Sequence, residues 1–138
     1  MTEPRFVSVD ELLAHARLTL DRLDPSDAAD AVASGALLVD IRPQAQRELE
    51  GEVPGSLVVE RNHLEWRLHP DSDARVAAAA PGQHWIVLCS EGYTSSLAAH
   101  ALNSIGVRAT DVIGGFRAWQ ARGLPTTTGG TPPGSYVS

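Results

Sequence analysis

The sequence predicts a single α/β domain built on a parallel sheet, and three observations carry this. Four short, mostly apolar runs read as strands buried on both faces, the habit of parallel sheets: Ala36-Leu-Leu-Val-Asp-Ile41, Leu57-Val-Val59, Trp85-Ile-Val-Leu88 and Thr110-Asp-Val-Ile113. Segments with helical spacing of apolar residues precede, separate and follow them, and such alternation implies right-handed crossovers. The length of 138 residues gives one hydrophobic core without a disulfide or metal staple and leaves little room for a second domain.

The first elements are helical. Ser8-Val-Asp-Glu11 has the spacing of a capping box, in which the serine oxygen takes a free N–H and the glutamate reaches back. Leu12, Leu13, Ala16 and Leu20 follow on one face. Asp24-Pro25 opens a second helix with a capping acid and a proline in its first turn. Ala28, Ala31 and Val32 supply its buried face, and Gly35 closes it. Beyond the strands at 36–41 and 57–59, Leu64-Glu-Trp-Arg67 has the amphipathic pattern of a short helix. The strand at 85–88 leads through a loop into a helix opening near Thr94, Ser95 and Ser96. Its apolar residues Leu97, Ala101 and Ile105 are spaced by four, with Ala98 and Leu102 beside them and Gly106 at the end. A last helix spans 117–122, after Gly114-Gly115. The stretch from Thr126 to Ser138 is Gly, Pro, Ser and Thr with almost no apolar content, and reads as a flexible tail or an arm lying on a neighbour. The folded domain is thereby placed at residues 5–125.

Composition narrows the function. The net charge is −6 and all 11 basic residues are arginines without a cluster, a poor match to nucleic acid or an anionic membrane. Aromatic content is only 5%, too low for base-stacking platforms. No apolar run approaches the ~18 residues of a membrane span, and the acidic start MTEPRFVSVDELL is no secretory signal. One cysteine excludes an intrachain disulfide and any zinc site needing two thiolates. The five histidines, at 15, 63, 69, 84 and 100, lack metal-ligand spacing, so no metal or cofactor is expected. These features point to the cytoplasm.

The chemistry concentrates in one loop. In Trp85-Ile-Val-Leu-Cys89-Ser-Glu-Gly-Tyr-Thr-Ser95 a buried strand ends at the only cysteine, a loop with a central glycine follows, and a helix begins. Ligands of open α/β sheets bind beyond the carboxyl ends of the strands. A thiol there faces loop N–H groups and the positive end of a helix, which favour thiolate over thiol. A lone cysteine is also a common small core residue, and position alone leaves both readings open.

Four motifs together weight the choice. Leu-Val-Asp40-Ile-Arg42 is similar to an Asp-x-Arg at the end of an early strand. Gly51-Glu-Val-Pro54-Gly55-Ser56 is similar to a Gly-His-Ile-Pro-Gly-Ala turn, with Glu52 where histidine is usual. Cys89 to Ser95 is similar to a Cys-x-x-Gly-x-(Arg/Thr)-(Ser/Ala) loop, and Gly114-Gly115-Phe-Arg-Ala-Trp119 with Gly123-Leu-Pro125 to a closing Gly-Gly-x-x-x-Trp…Gly-x-Pro. In this order they resemble the rhodanese family of sulfurtransferases, over about residues 37–125. The resemblance implies a doubly wound sheet of about five parallel strands with helices on both faces. It implies that Cys89 accepts a sulfane sulfur from a thiosulfate- or mercaptopyruvate-like donor, becomes a persulfide and passes the sulfur to a thiophilic acceptor such as cyanide, a thiol or an acceptor protein. The loop residues Ser90, Glu91, Gly92, Tyr93, Thr94 and Ser95 would bind substrate, with N–H groups of 90–95 cradling the sulfur and the Thr94 or Ser95 hydroxyl capping the helix or reaching the sulfur. Asp40 and Arg42 would tie strand ends and loops.

The loop departs from the family pattern in charge. Many single-domain members carry an arginine there, whereas Ser90-Glu-Gly-Tyr-Thr94 has no base and one acid. Glu91 would repel a dianionic donor. Arg42, Arg47 or Arg61 are the expected compensators, with Arg61 the anion-binding candidate. Two other functions fit parts of the pattern: a non-catalytic rhodanese-like binding module, which Glu91 favours, and a Cys-x5-Arg phosphatase. The latter needs an arginine six residues after the cysteine, where this chain has Ser95.

Overall fold

Residues 3–131 are described by a computed structural model of the chain. Helix α1 spans Val9–Arg17, with Ser8 Oγ accepting the Glu11 N–H at 3.1 Å. The Glu11 carboxylate reaches one residue beyond the cap, to the Val7 N–H at 2.8 Å. Of the predicted stripe only Ala16 is fully buried, and Leu12 is exposed. Helix α2, Pro25–Ala33, is capped by Asp24 through the Ser26 N–H. It buries Pro25 and Ala28, while Val32 faces outward.

Strands β1 (Leu37–Asp40), β2 (Leu57–Val58), β3 (Trp85–Leu88) and β4 (Ala109–Asp111) form one parallel sheet in the order β2-β1-β3-β4. The chain runs outward from β1 to β2, then returns across β1 to lay β3 on its other side. The carboxyl ends of β1 and β3 therefore flank the point where the winding reverses, the crevice in which such sheets bind ligands. Four strands stand in place of the expected five. Leu23 makes a single parallel bridge to Val112 at the β4 edge, donating to Asp111 O at 3.0 Å and accepting from the Ile113 N–H at 2.8 Å. It extends no further because Asp24 and Pro25 turn the chain at once into α2.

Side-chain alternation divides the core. Val39 and Ile41 of the β1 segment and Trp85 and Val87 of β3 pack with Leu64 and Leu68 of α4 (Leu64–Leu68) and Ala98, Ala99 and Leu102 of α5 (Thr94–Ser104). Leu38, Ile86 and Leu88 pack on the opposite face with Ala28 and with Phe116 and Trp119 of α6 (Gly115–Ala121). Helix α1 lies outside, on α5. The α5 stripe differs from the expected one: Ser95, Ser96, Ala98, Ala99 and Leu102 are buried, and Ile105 is exposed. The two serines are buried because a carboxylate awaits them, described below.

One helix had no apolar signal. Helix α3, Gln44–Glu50, buries only Arg47 and leaves Leu49 in solvent. The predicted tail also begins as an arm on its own chain. Thr127 pairs antiparallel with Glu52. Thr131 Oγ1 donates to Glu52 Oε1 at 2.6 Å, and Arg47, ion-paired with Glu52, donates to Thr131 O. Residues 132–138 of that tail lie outside the described residues. Among the described residues no helix is long and apolar enough to cross a membrane.

Candidate active site

Cys89 continues the alternation of Trp85 and Val87, so its side chain joins the α5 side of the core at the carboxyl end of β3. It is 4% exposed and forms part of the wall of a cavity of about 810 Å³. The loop then turns back: the Gly92 N–H donates to Cys89 Sγ at 3.2 Å. Gly92 has φ +88, and a Cβ there would lie 2.9 Å from Gly114 N and 3.1 Å from Val112 O, so both the turn and the packing demand glycine. The N–H groups of Glu91, Tyr93, Thr94 and Ser95 meet no protein acceptor among the described residues. They are open donors in the loop that carries the sulfur, at the positive end of α5.

The cavity gathers most of the predicted residues. Cys89, Ser90, Glu91, Tyr93 and Thr94 line it, joined by Arg42 from the end of β1 and Arg61 from the 3-10 turn Arg61–His63. Gly92, Ser95 and Asp40 stand behind the wall. Ser95 neither caps α5 nor reaches the sulfur: its hydroxyl donates to Asp111 Oδ2 at 2.7 Å. No side chain caps α5 at all. Asp40 and Arg42 form a buried pair, with Arg42 Nε on Asp40 Oδ1 at 3.0 Å and Nη2 on Oδ2 at 2.6 Å. Arg42 also grips Glu50 and Gly51 O and lies over the Phe116 ring at 4.3 Å.

Each of the expected compensators has a carboxylate partner of its own. Arg42 is committed to Asp40 and Glu50, Arg47 to Glu52, and Arg61 to Glu65 at 2.8 Å. The cation beside Glu91 is Arg117 of α6, with Nη1 3.3 Å from Glu91 Oε1. A single exposed arginine 26 positions from the acid carries no sequence signal of its own. Other residues missed in the sequence complete the site's rear. Asp111, fully buried at the end of β4, accepts from Ser95, from Ser96 at 2.7 Å and from Arg22 at 2.9 and 3.2 Å. Arg17 Nη2 and Arg22 Nη2 both donate to Gly92 O, at 2.7 and 3.0 Å. His63, at the end of the 3-10 turn that brings Arg61 to the cavity, is itself buried outside the lining. Among the described residues no group of three His, Cys, Asp or Glu is arranged to hold a metal ion.

Glu50 links these parts. Burial raises its carboxyl pKa, but hydrogen bonds from Ser90, Arg42 and Gln46 outweigh that and hold it below the ordinary 4.5. A carboxylate depressed in the folded state adds stability above its unfolded pKa, and that stability is lost as pH falls through the folded value. We therefore expect Glu50→Gln to cost about 1.5–3 kcal/mol at pH 7, the worth of hydrogen bonds to a charged group. Melting the two proteins across pH 7 to 3 should show the gap closing below pH 4.5; a gap constant with pH would assign the loss to packing instead.

The sequence model of the rhodanese-like domain matches residues 24–122, nearly the whole of this architecture. The chain belongs to the rhodanese-like family. Its fold agrees with solved structures. A protein of unknown function from Rhodopseudomonas palustris CGA009, described as a possible tyrosine phosphatase, is 28% identical with a TM-score of 0.80, covering 91% of this chain and 98% of that one. A rhodanese-related protein from Thermoplasma volcanium is 19% identical, TM-score 0.63, covering 78% and 97%. A thiosulfate sulfurtransferase from Pseudomonas aeruginosa is 22% identical, TM-score 0.66, and the match covers 83% of this chain but 21% of that one. No match was found among curated proteins. As a rhodanese-like domain the chain places its only cysteine at the strand end that the fold makes a ligand crevice.

Proposed function

We infer that the protein is a sulfurtransferase working through a persulfide on Cys89. The observation that carries this is a cysteine on the wall of a cavity with the Gly92 N–H on its sulfur and four further loop N–H groups without protein acceptors. The Cys89 thiolate attacks the outer sulfur of a donor such as thiosulfate. The donor S–S bond breaks, its electron pair leaves with sulfite, and Cys89 carries the new sulfur as a persulfide. Loop N–H groups stabilise the negative charge on both. An acceptor nucleophile then attacks the terminal sulfur, for cyanide giving thiocyanate, and the thiolate returns. No cofactor enters this balance. Donor and acceptor arrive in turn at the same opening, which suits small sulfur partners.

A phosphatase would need an arginine fork on the phosphoryl oxygens at the end of the loop. Ser95 holds that position and is turned onto Asp111. The test is intact mass after incubation with thiosulfate or mercaptopyruvate: a gain of one sulfur atom, removed by cyanide, is expected. No gain from either donor would favour the binding module.

Glu91 bears on the donor. Half exposed and paired with Arg117, it partly neutralises the cation at the cavity mouth. Glu91→Gln is expected to raise kcat/KM for thiosulfate about two- to threefold at low salt, mainly through KM, with the gain vanishing at 0.5 M salt. A gain unaffected by salt would mean a shape effect rather than charge.

A further inference from the structure

Arg17 and Arg22 precede the segment matched to the family, which begins at residue 24. Both nonetheless converge on one carbonyl of the Cys89 loop, that of Gly92. Arg17 is further fixed by donating Nε to Ser96 Oγ at 2.9 Å, and Arg22 by its fork on buried Asp111. The charges do not cancel. Asp111 answers Arg22, while Arg17 has no carboxylate within salt-bridge distance among the described residues. One positive charge is therefore left behind a loop that contains no base of its own.

The peptide joining Gly92 to Tyr93 is trans and planar, so its N–H points opposite to its C=O. Fastening the Gly92 carbonyl to two guanidinium groups turns the Tyr93 N–H away from them. Charged donors on the carbonyl also polarise the peptide and strengthen that N–H as a donor. The preceding N–H, of Gly92, is the one already on Sγ.

We propose that Arg17 and Arg22 are positioning residues of the Cys89 loop: α1 and the segment after it supply the loop's orientation and its missing positive charge from behind. The role in turnover rests on the sulfurtransfer reading above; the effect on Cys89 does not, and the two are separable by experiment. Arg17 is the residue to vary, because removing Arg22 would strand the buried carboxylate of Asp111.

The readout is alkylation of Cys89 by neutral iodoacetamide and by anionic iodoacetate. A loop that merely loosens changes both rates alike, whereas a lost charge slows the anion selectively. Arg17→Gln is expected to lower the iodoacetate-to-iodoacetamide rate ratio about three- to fivefold at low salt, the order expected for loss of one nearby charge at intermediate dielectric. Arg17→Lys should restore most of the ratio, and Arg75→Gln, which removes an exposed arginine outside the cavity lining whose side chain donates to Ser72 O, should leave it unchanged. In sulfur transfer, Arg17→Gln should lower kcat/KM for thiosulfate about tenfold. An unchanged ratio in folded Arg17→Gln overturns the proposal whatever the activity. A changed ratio with no persulfide formed by the wild type upholds it and overturns the sulfurtransfer reading alone.

Discussion

Cys89→Ser is expected to gain no sulfur from any donor and to lose turnover by on the order of 10⁴-fold or more, the scale seen when a covalent nucleophile is removed. The chain has no second cysteine to take over the persulfide, so the result is decisive. The fold should survive. Serine is slightly smaller than cysteine, and the Gly92 N–H that now meets Sγ at 3.2 Å can donate to the new hydroxyl. Placing that hydroxyl among the apolar residues around Cys89 costs about 1–2 kcal/mol at most. Intact mass gives the sulfur count and a thermal melt gives the stability. Persistent transfer by a folded Cys89→Ser protein would mean that another group carries the sulfur, and the site would have to be sought elsewhere.

The central strand β3 was legible because burial on both faces leaves an apolar run that little else produces, and Trp85–Leu88 has the expected bounds, whereas the edge strand β2 is only half-buried. Helix α3 was not legible because what it buries is an arginine. Arg47 is held by Glu52 and by its donation to Arg42 O at 3.1 Å, so the helix packs by ion pair rather than by an apolar stripe. The signals that remained were Pro43 before it and Gly51 after it, with φ +102. Glu52, read as a deviation from the motif's histidine, proves to anchor both Arg47 and the arm at 127–131. Sequence spacing cannot show a partner 79 residues away.

The same limit divides the candidate site. Loop chemistry is local, so the Cys89 segment and its glycine could be read from consecutive letters. What fixes the loop is not local. Arg17, Arg22, Asp111 and Arg117 arrive from α1, the bridge segment, β4 and α6, and each is an ordinary charged residue in its own neighbourhood. The burial of Ser95 and Ser96 on α5 was hidden for the same reason, because their partner lies on the adjacent strand.

Gly115→Ala is expected to be among the most destabilising single changes in the protein, about 3–5 kcal/mol, or a fall in Tm of roughly 10–20 °C. The Gly114-Gly115 pair was legible as a motif, but its reason lies in how α6 meets the cysteine loop. The Phe116 N–H donates to Cys89 O at 2.8 Å and the Arg117 N–H to Ser90 O at 3.1 Å. The first turn of α6 thus rests directly on the backbone that follows β3. A Cβ on Gly115 would sit 2.5 Å from Cys89 O and 2.7 Å from both C and O of Ser90, and its φ of +61 is left-handed besides. These neighbours are backbone atoms bound into the sheet end and cannot swing aside as a side chain would. Gly123→Ala is the matched control: φ +70, with nothing within 4 Å of the new Cβ, so it incurs only the left-handed penalty of about 1–2 kcal/mol. The difference between the two melts isolates the contact. Because the displaced atoms are the carbonyls of Cys89 and Ser90, the alanine should also alter the rate of Cys89 alkylation at temperatures where the protein remains folded, while Gly123→Ala should not. Equal losses of Tm in the two variants would show that α6 can shift to admit the methyl group, and that its grip on the loop is looser than these distances imply.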